Sequence, residues 1–134
     1  MSVFLTLYKT NHHLVKQLEE QLGKFDLTLG RWCVLVALRS SGRAMVPSEL
    51  SDDLAVTRAN ISNLLKSLEL AGRIQRNFDP TNRRRTLVKL TPEGHEVISK
   101  LWPVYEKTID QSVGNKLTLE EQKQLETLLK KLGK

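Results

Sequence analysis

The stretch Val46-Pro47-Ser48-Glu49-Leu50-Ser51-Asp52-Asp53-Leu54-Ala55-Val56-Thr57-Arg58-Ala59-Asn60-Ile61-Ser62-Asn63-Leu64-Leu65-Lys66 decides the fold. Pro47 suits a first helical turn, and Glu49 suits the positive end of the same helix. Leu50 and Leu54 are its inward residues. Ala55-Val56 allows a tight connection, and Thr57 is an N-cap for a second helix running to about Ala71. Gly72 then stops it. Ile61, Leu64, Leu65 and Leu68 recur at the helical period, so they form the buried face. The opposite face carries Ala59, Ser62, Asn63 and Lys66, with Arg58 and Asn60 on its shoulders. Two short helices in this arrangement read as a helix-turn-helix, whose second helix fits a DNA major groove.

Beyond Gly72 the period changes. Arg73-Ile74-Gln75-Arg76-Asn77-Phe78 alternates as a half-exposed strand does, and Asp79-Pro80-Thr81-Asn82 is dense in turn formers. Arg85-Thr86-Leu87-Val88-Lys89-Leu90 returns as the partner strand, leaving Arg83 and Arg84 near the tip of a basic hairpin, or wing. Upstream, Gly30 to Leu38 is apolar almost all round and reads as a buried helix, introduced by Thr28 as N-cap. A first helix, from Val3 to about Lys24, carries Phe4, Leu7, Tyr8, Leu14, Val15, Leu18 and Leu22. Downstream, Thr91-Pro92-Glu93 starts a helix with Val97, Ile98, Leu101, Trp102, Tyr105 and Ile109 as its apolar set, and Pro103 is expected to kink it. Thr118-Leu119-Glu120-Glu121 is a capping box for a last helix bearing Leu125, Leu128, Leu129 and Leu132. The expected fold is mainly α with a small β-hairpin wing (α+β): six helices around a winged helix-turn-helix.

The whole chain of 134 residues fits one domain. Its +6 charge is focused: Arg39 to Lys89 holds ten bases and five acids, and Arg73 to Lys89 alone holds six bases and one acid. That is the footprint of a surface meeting a polyanion. The longest run without Asp, Glu, Lys or Arg is Met1 to Tyr8, far short of the roughly 20 apolar residues a membrane span needs. There is no signal-peptide pattern, and one cysteine, Cys33, permits no internal disulfide. A small soluble cytoplasmic domain is expected. No nucleophile–base pair, Gly-rich phosphate loop or metal-ligand cluster is apparent, so neither an enzyme, a cofactor nor a metal is expected.

Ser48-Glu49-Leu50 with Leu54-Ala55-Val56-Thr57, then Leu68-Glu69-Leu70-Ala71-Gly72 with Ile74 and Arg76, resembles the MarR family of bacterial transcriptional regulators. Asp79-Pro80-Thr81-Asn82-Arg83-Arg84 and Leu87-Val88-Lys89-Leu90-Thr91-Pro92-Glu93-Gly94 carry the resemblance on. It implies a homodimeric repressor of transcription on double-stranded DNA with a pseudo-palindromic operator. Residues 28–91 would be the winged helix core, and 1–25 with 92–134 the dimerisation helices. The candidate DNA contacts are Ser48, Thr57, Arg58, Asn60, Ser62, Asn63 and Lys66 from the helix pair. From the hairpin they are Arg76, Arg83, Arg84 and Arg85. Arg84 matches the family's wing-tip arginine. Asn82 stands where an aspartate usually braces that arginine, so the tip is either looser or relies on Asp79. Asn63 replaces a common arginine, and Arg73 a usual apolar residue.

Dimerisation also has a ground of its own, since one small domain is poorly able to cover the apolar seams of both terminal helices. Many relatives respond to small, often phenolic effectors. Tyr8, His12, Trp32 and Trp102 are the candidate lining of such a pocket here, against the plainer reading that such rings fill a core. Cys33, among apolar neighbours, is expected to be a buried, inert thiol. The alternative function is a winged helix protein–protein module without specific DNA binding, which the arginine-rich hairpin disfavours.

Overall fold

The structure, a computed structural model, describes residues 2–133. Its elements in order are α1 (Ser2–Gly23), α2 (Leu29–Ser41), α3 (Pro47–Leu54), α4 (Arg58–Leu70), β1 (Ile74–Asp79), β2 (Asn82–Leu90), α5 (Pro92–Ile109) and α6 (Leu119–Leu132). A single π-helical turn, Asp110–Gly114, follows α5. The six helices and antiparallel hairpin are those expected. No helix among the described residues is long and apolar enough to cross a membrane.

Local chemistry sets the boundaries. Thr28 Oγ1 accepts from the Arg31 amide and Thr57 Oγ1 from the Asn60 amide, satisfying donors that a helix start leaves open. Thr118 and Glu121 form the reciprocal capping box of α6. At α3 the cap Val46 offers no side-chain acceptor. Instead Glu49 Oε1 accepts from the Val46 amide at 3.1 Å. The turn into α4 rests on Ala55, whose φ of +53° lies in the left-handed region that a β-carbon disfavours.

The described chain divides into two compact units, Met1–Phe25 with Pro103–Lys134, and Asp26–Trp102. In the second, Trp32, Leu35, Leu50, Ile61, Leu65, Val88, Ile98 and Leu101 are buried together in sequence-distant elements. The unit thus takes in the first half of α5 as well as the helix-turn-helix and wing. Met45 exchanges two backbone hydrogen bonds with Val88, at 2.9 and 2.8 Å, tying the α2–α3 loop to β2. Gly94, at the start of α5, lies against the turn after α4. A β-carbon there would stand 2.1 Å from the Arg73 carbonyl oxygen. The Thr91 hydroxyl closes this junction by donating to the Gly72 carbonyl at 2.6 Å.

Some expectations need correction. Cys33 is half-buried, not buried, because α2 turns Trp32, Val34, Leu35 and Leu38 inward and leaves Cys33, Val36 and Ala37 on its flank. β2 begins at Asn82 rather than Arg85, since the hairpin stays paired through a register shift between Phe78 and Asp79. Phe78 is exposed although its strand alternates. α5 runs through Pro103 to Ile109, the extent that its apolar pattern predicts.

Candidate nucleic-acid interface

The candidate interface draws on α3, α4 and the wing, all within the Asp26–Trp102 unit. Burial of Ile61, Leu65 and Leu68 orients α4. Arg58, Ala59, Asn60, Ser62, Asn63 and Lys66 are consequently all exposed, as the spacing predicts. Thr57 both caps the helix and stands exposed at its start. Ser48, on the first turn of α3, is shared by two surface depressions. One, of about 210 Å³, lies against Arg58, Ser62 and Arg76. The other, of about 470 Å³, lies against Arg84, Arg85 and Thr86. The start of α3 therefore bridges the recognition face of α4 and the wing.

The wing is shaped by two side chains. Asp79 Oδ1 accepts from the Thr81 amide at 2.9 Å and from the Thr81 hydroxyl at 2.7 Å. Those two bonds, aided by Arg85 and the Asn82 amide, hold the Asp79 carboxyl below its usual range. Its other oxygen lies 3.7 Å from Arg85 Nε. Asn82 Oδ1 accepts from the backbone amide of Arg84 at 3.1 Å. So the amide that stands in for a carboxylate fixes the path of the main chain, and Asp79 pairs with Arg85 rather than Arg84. Arg58, Lys66, Arg83 and Arg84 are exposed, with no ion pair among the described residues.

Arg76 is placed differently. It is half-buried, and its Nε and Nη2 donate to Glu69 Oε1 at 3.2 and 2.9 Å, lowering the Glu69 carboxyl below its usual value. This arginine joins β1 to α4. Local sequence reading misses the link because the partners are seven residues apart across a change from helix to strand. It also misses the clamp of Arg43 on Glu49, whose Nη2 and Oε2 are 2.6 Å apart. Hydrogen bonds from Arg43 and the Val46 amide push the Glu49 carboxyl down to about 2. The clamp fixes the start of α3 beside the interface.

Of the candidate effector residues, Trp32 is buried and Trp102 partly exposed, their ring centroids 6.1 Å apart and tilted by 38°. Tyr8 and His12 lie on α1 in the other unit, and both are exposed.

Comparison with known proteins agrees with this geometry. Residues 31–107 match a family described as a winged helix DNA-binding domain. The multiple antibiotic resistance protein MarR of Salmonella typhimurium is 31% identical over 126 residues, covering 94% of this chain and 87% of that protein. A MarR family transcriptional regulator of Streptomyces coelicolor, Sco3205, solved in complex with DNA, superposes with a TM-score of 0.93 at 27% identity. The match covers 98% of this chain and 83% of that one. BpsR of Bordetella bronchiseptica, whose DNA binding is regulated by 6-hydroxynicotinic acid, superposes at 0.88 with 25% identity over the full length of both chains.

Proposed function

The chain belongs to the MarR family of winged helix transcriptional regulators, and from that premise we propose that it is a sequence-specific, homodimeric DNA-binding repressor acting on a pseudo-palindromic operator. In this reading α4 enters the major groove, which is wide enough for a helix. Asn60 and Asn63 offer the paired donor and acceptor that match adenine. Arg58 suits guanine or phosphate, while Thr57, Ser62, Ser48 and Lys66 set the register on the backbone. Arg84 enters the narrower minor groove, where negative potential is strongest over A·T-rich steps. Arg83 and Arg85 meet the flanking phosphates. Arg76 contributes by holding the wing to α4.

One observation carries this reading: the wing's own acid and amide are engaged in shaping its loop, leaving the cations of Arg83 and Arg84 uncompensated. A docking module for a neutral partner has no use for that arrangement. Regulation rather than catalysis, and a place in the cytoplasm with the chromosome, follow from the same reading. The terminal helices α1 and α6 hold the dimer, and a small aromatic effector controls DNA binding, as regulation of the related BpsR by 6-hydroxynicotinic acid suggests.

The test is a mobility shift and footprint on the DNA upstream of the chain's own gene. The expected result is protection of two half-sites about 10 base pairs apart, centre to centre, or a multiple of that spacing. Equal retardation of every duplex, with no footprint, would exclude sequence-specific regulation.

A further inference from the structure

Phe78 has no place in the core. It is 73% exposed, although the other apolar residue of its strand, Ile74, is buried. Strand residues alternate, so 74, 76 and 78 share one face of β1. The register sets them opposite Leu90, Val88 and Thr86. On that face Ile74 and Val88 are buried, and Arg76 reaches Glu69 of α4. By that alternation Phe78 belongs to the face of β1 that carries Ile74 and Arg76, and it is exposed at the outer end of the strand. Its cross-strand neighbour Thr86 lines the depression shared by Ser48, Arg84 and Arg85.

An exposed aromatic ring on the strand paired with the one that carries Arg84 and Arg85 suits an occupant that is both anionic and apolar. The minor groove of a duplex is both, with phosphates along its rims and deoxyribose C–H edges on its walls. Apolar side chains of this kind commonly seat there. Building on the DNA-binding reading above, we infer that Phe78 is a further DNA-contact residue. Its ring packs against deoxyribose edges beside the Arg84 guanidinium and fixes how deeply the wing seats.

The experiment is a fluorescence anisotropy titration of the full chain with an upstream duplex of about 30 base pairs, roughly three helical turns, at several salt concentrations. Wild type, Phe78→Ala, Phe78→Leu and Arg84→Ala are compared, with melting temperatures as a control on folding. Phe78→Ala is expected to bind about tenfold more weakly with an unchanged salt slope, because an apolar contact releases no counterions. Phe78→Leu keeps most of the affinity. Arg84→Ala lowers affinity and slope together.

Wild-type affinity in Phe78→Ala overturns the inference. So does a fall in affinity and slope together in that variant, which would mean the ring only positions the arginines. A loss that disappears once dimer dissociation is accounted for assigns the ring to a second copy of the chain instead. Absence of salt-dependent binding by the wild type would sink the DNA-binding reading itself, a result distinct from all of these.

Discussion

The two compact units of this chain solve the same problem unequally. In Asp26–Trp102 most of the large apolar residues are inside, Leu70, Phe78 and Trp102 excepted: Trp32, Leu35, Leu50, Ile61, Leu65, Ile98 and Leu101 are each 2% exposed or less. In the other unit Leu18 and Leu22 are buried. Phe4, Leu7 and Tyr8 of α1, and Leu125, Leu128, Leu129 and Leu132 of α6, remain exposed. Burying a leucine contributes about 1.5–3 kcal/mol, so these seams represent a large unrealised stabilisation. The winged unit has a finished core, whereas the helical unit leaves apolar seams uncovered, the surface that the proposed dimer would bury. Lesions in the first should act on folding, and lesions in the second on association.

The largest effect is expected at Gly94, where a β-carbon has no room beside the Arg73 carbonyl. Gly94→Ala should lose about 3 kcal/mol of stability, read as a lower urea midpoint at unchanged slope. A variant as stable as wild type would mean that this junction does not limit the winged unit. Next in size is the paired change Leu128→Glu with Leu129→Glu. It should leave helical content intact while raising the dimer dissociation constant at least about a hundredfold. Sedimentation would then report 15.3 kDa instead of twice that mass. Persistence of the dimer would dissolve the contrast between the units.

Arg84→Ala should weaken duplex binding about tenfold. It should also make the salt slope shallower by about two per dimer, one phosphate per protomer. Stability should be unchanged, since this arginine has no ion pair to lose among the described residues.

Acid should act on the winged unit. Glu49, Glu69 and Asp79 all titrate lower in the folded chain than their ordinary values. The unfolded chain therefore binds more protons in that range, and the stability these groups contribute is full above the unfolded pKa. For Glu49 that value is 4.5, and its share is lost as pH falls toward about 2. Thermal melts between neutral and acid pH should show this decline, and Glu49→Gln should flatten part of it. An unchanged decline would remove the Arg43–Glu49 clamp as its cause. The smallest effect is expected from Ala55→Gly, which relieves a left-handed alanine but frees the unfolded chain. Chemical denaturation should show a net gain of about 0.5 kcal/mol, and a loss would mean that Ala55 is not strained.

What the sequence shows and hides follows from the range of the interactions. The helix-turn-helix was legible because its signals are local. Thr57 caps α4, Pro47 and Glu49 start α3, Gly72 ends the pair, and Ile61, Leu65 and Leu68 fall at helical spacing. The hairpin was legible through its turn residues, but its extent was not. The bulge at Phe78–Asp79 keeps Asn82 paired, which no local pattern announces. The exposed polar face of α4 and the tip arginines could be read from residue type and period. The duties of Arg76 and Asn82 could not, because one reaches across to another element and the other bonds to main chain. Phe78 misleads in the opposite direction, since alternation suggests burial where α4 no longer provides cover. The π-helical turn at Asp110–Gly114 carries no sequence signal that we can identify.

The most direct test of the central claim is the dependence of duplex affinity on salt for the wild-type dimer. With the cations of Arg58, Lys66, Arg83 and Arg84 of each protomer against the duplex, log K against log salt should fall with a slope steeper than about −4. A line as flat as that of a neutral control protein would contradict the account.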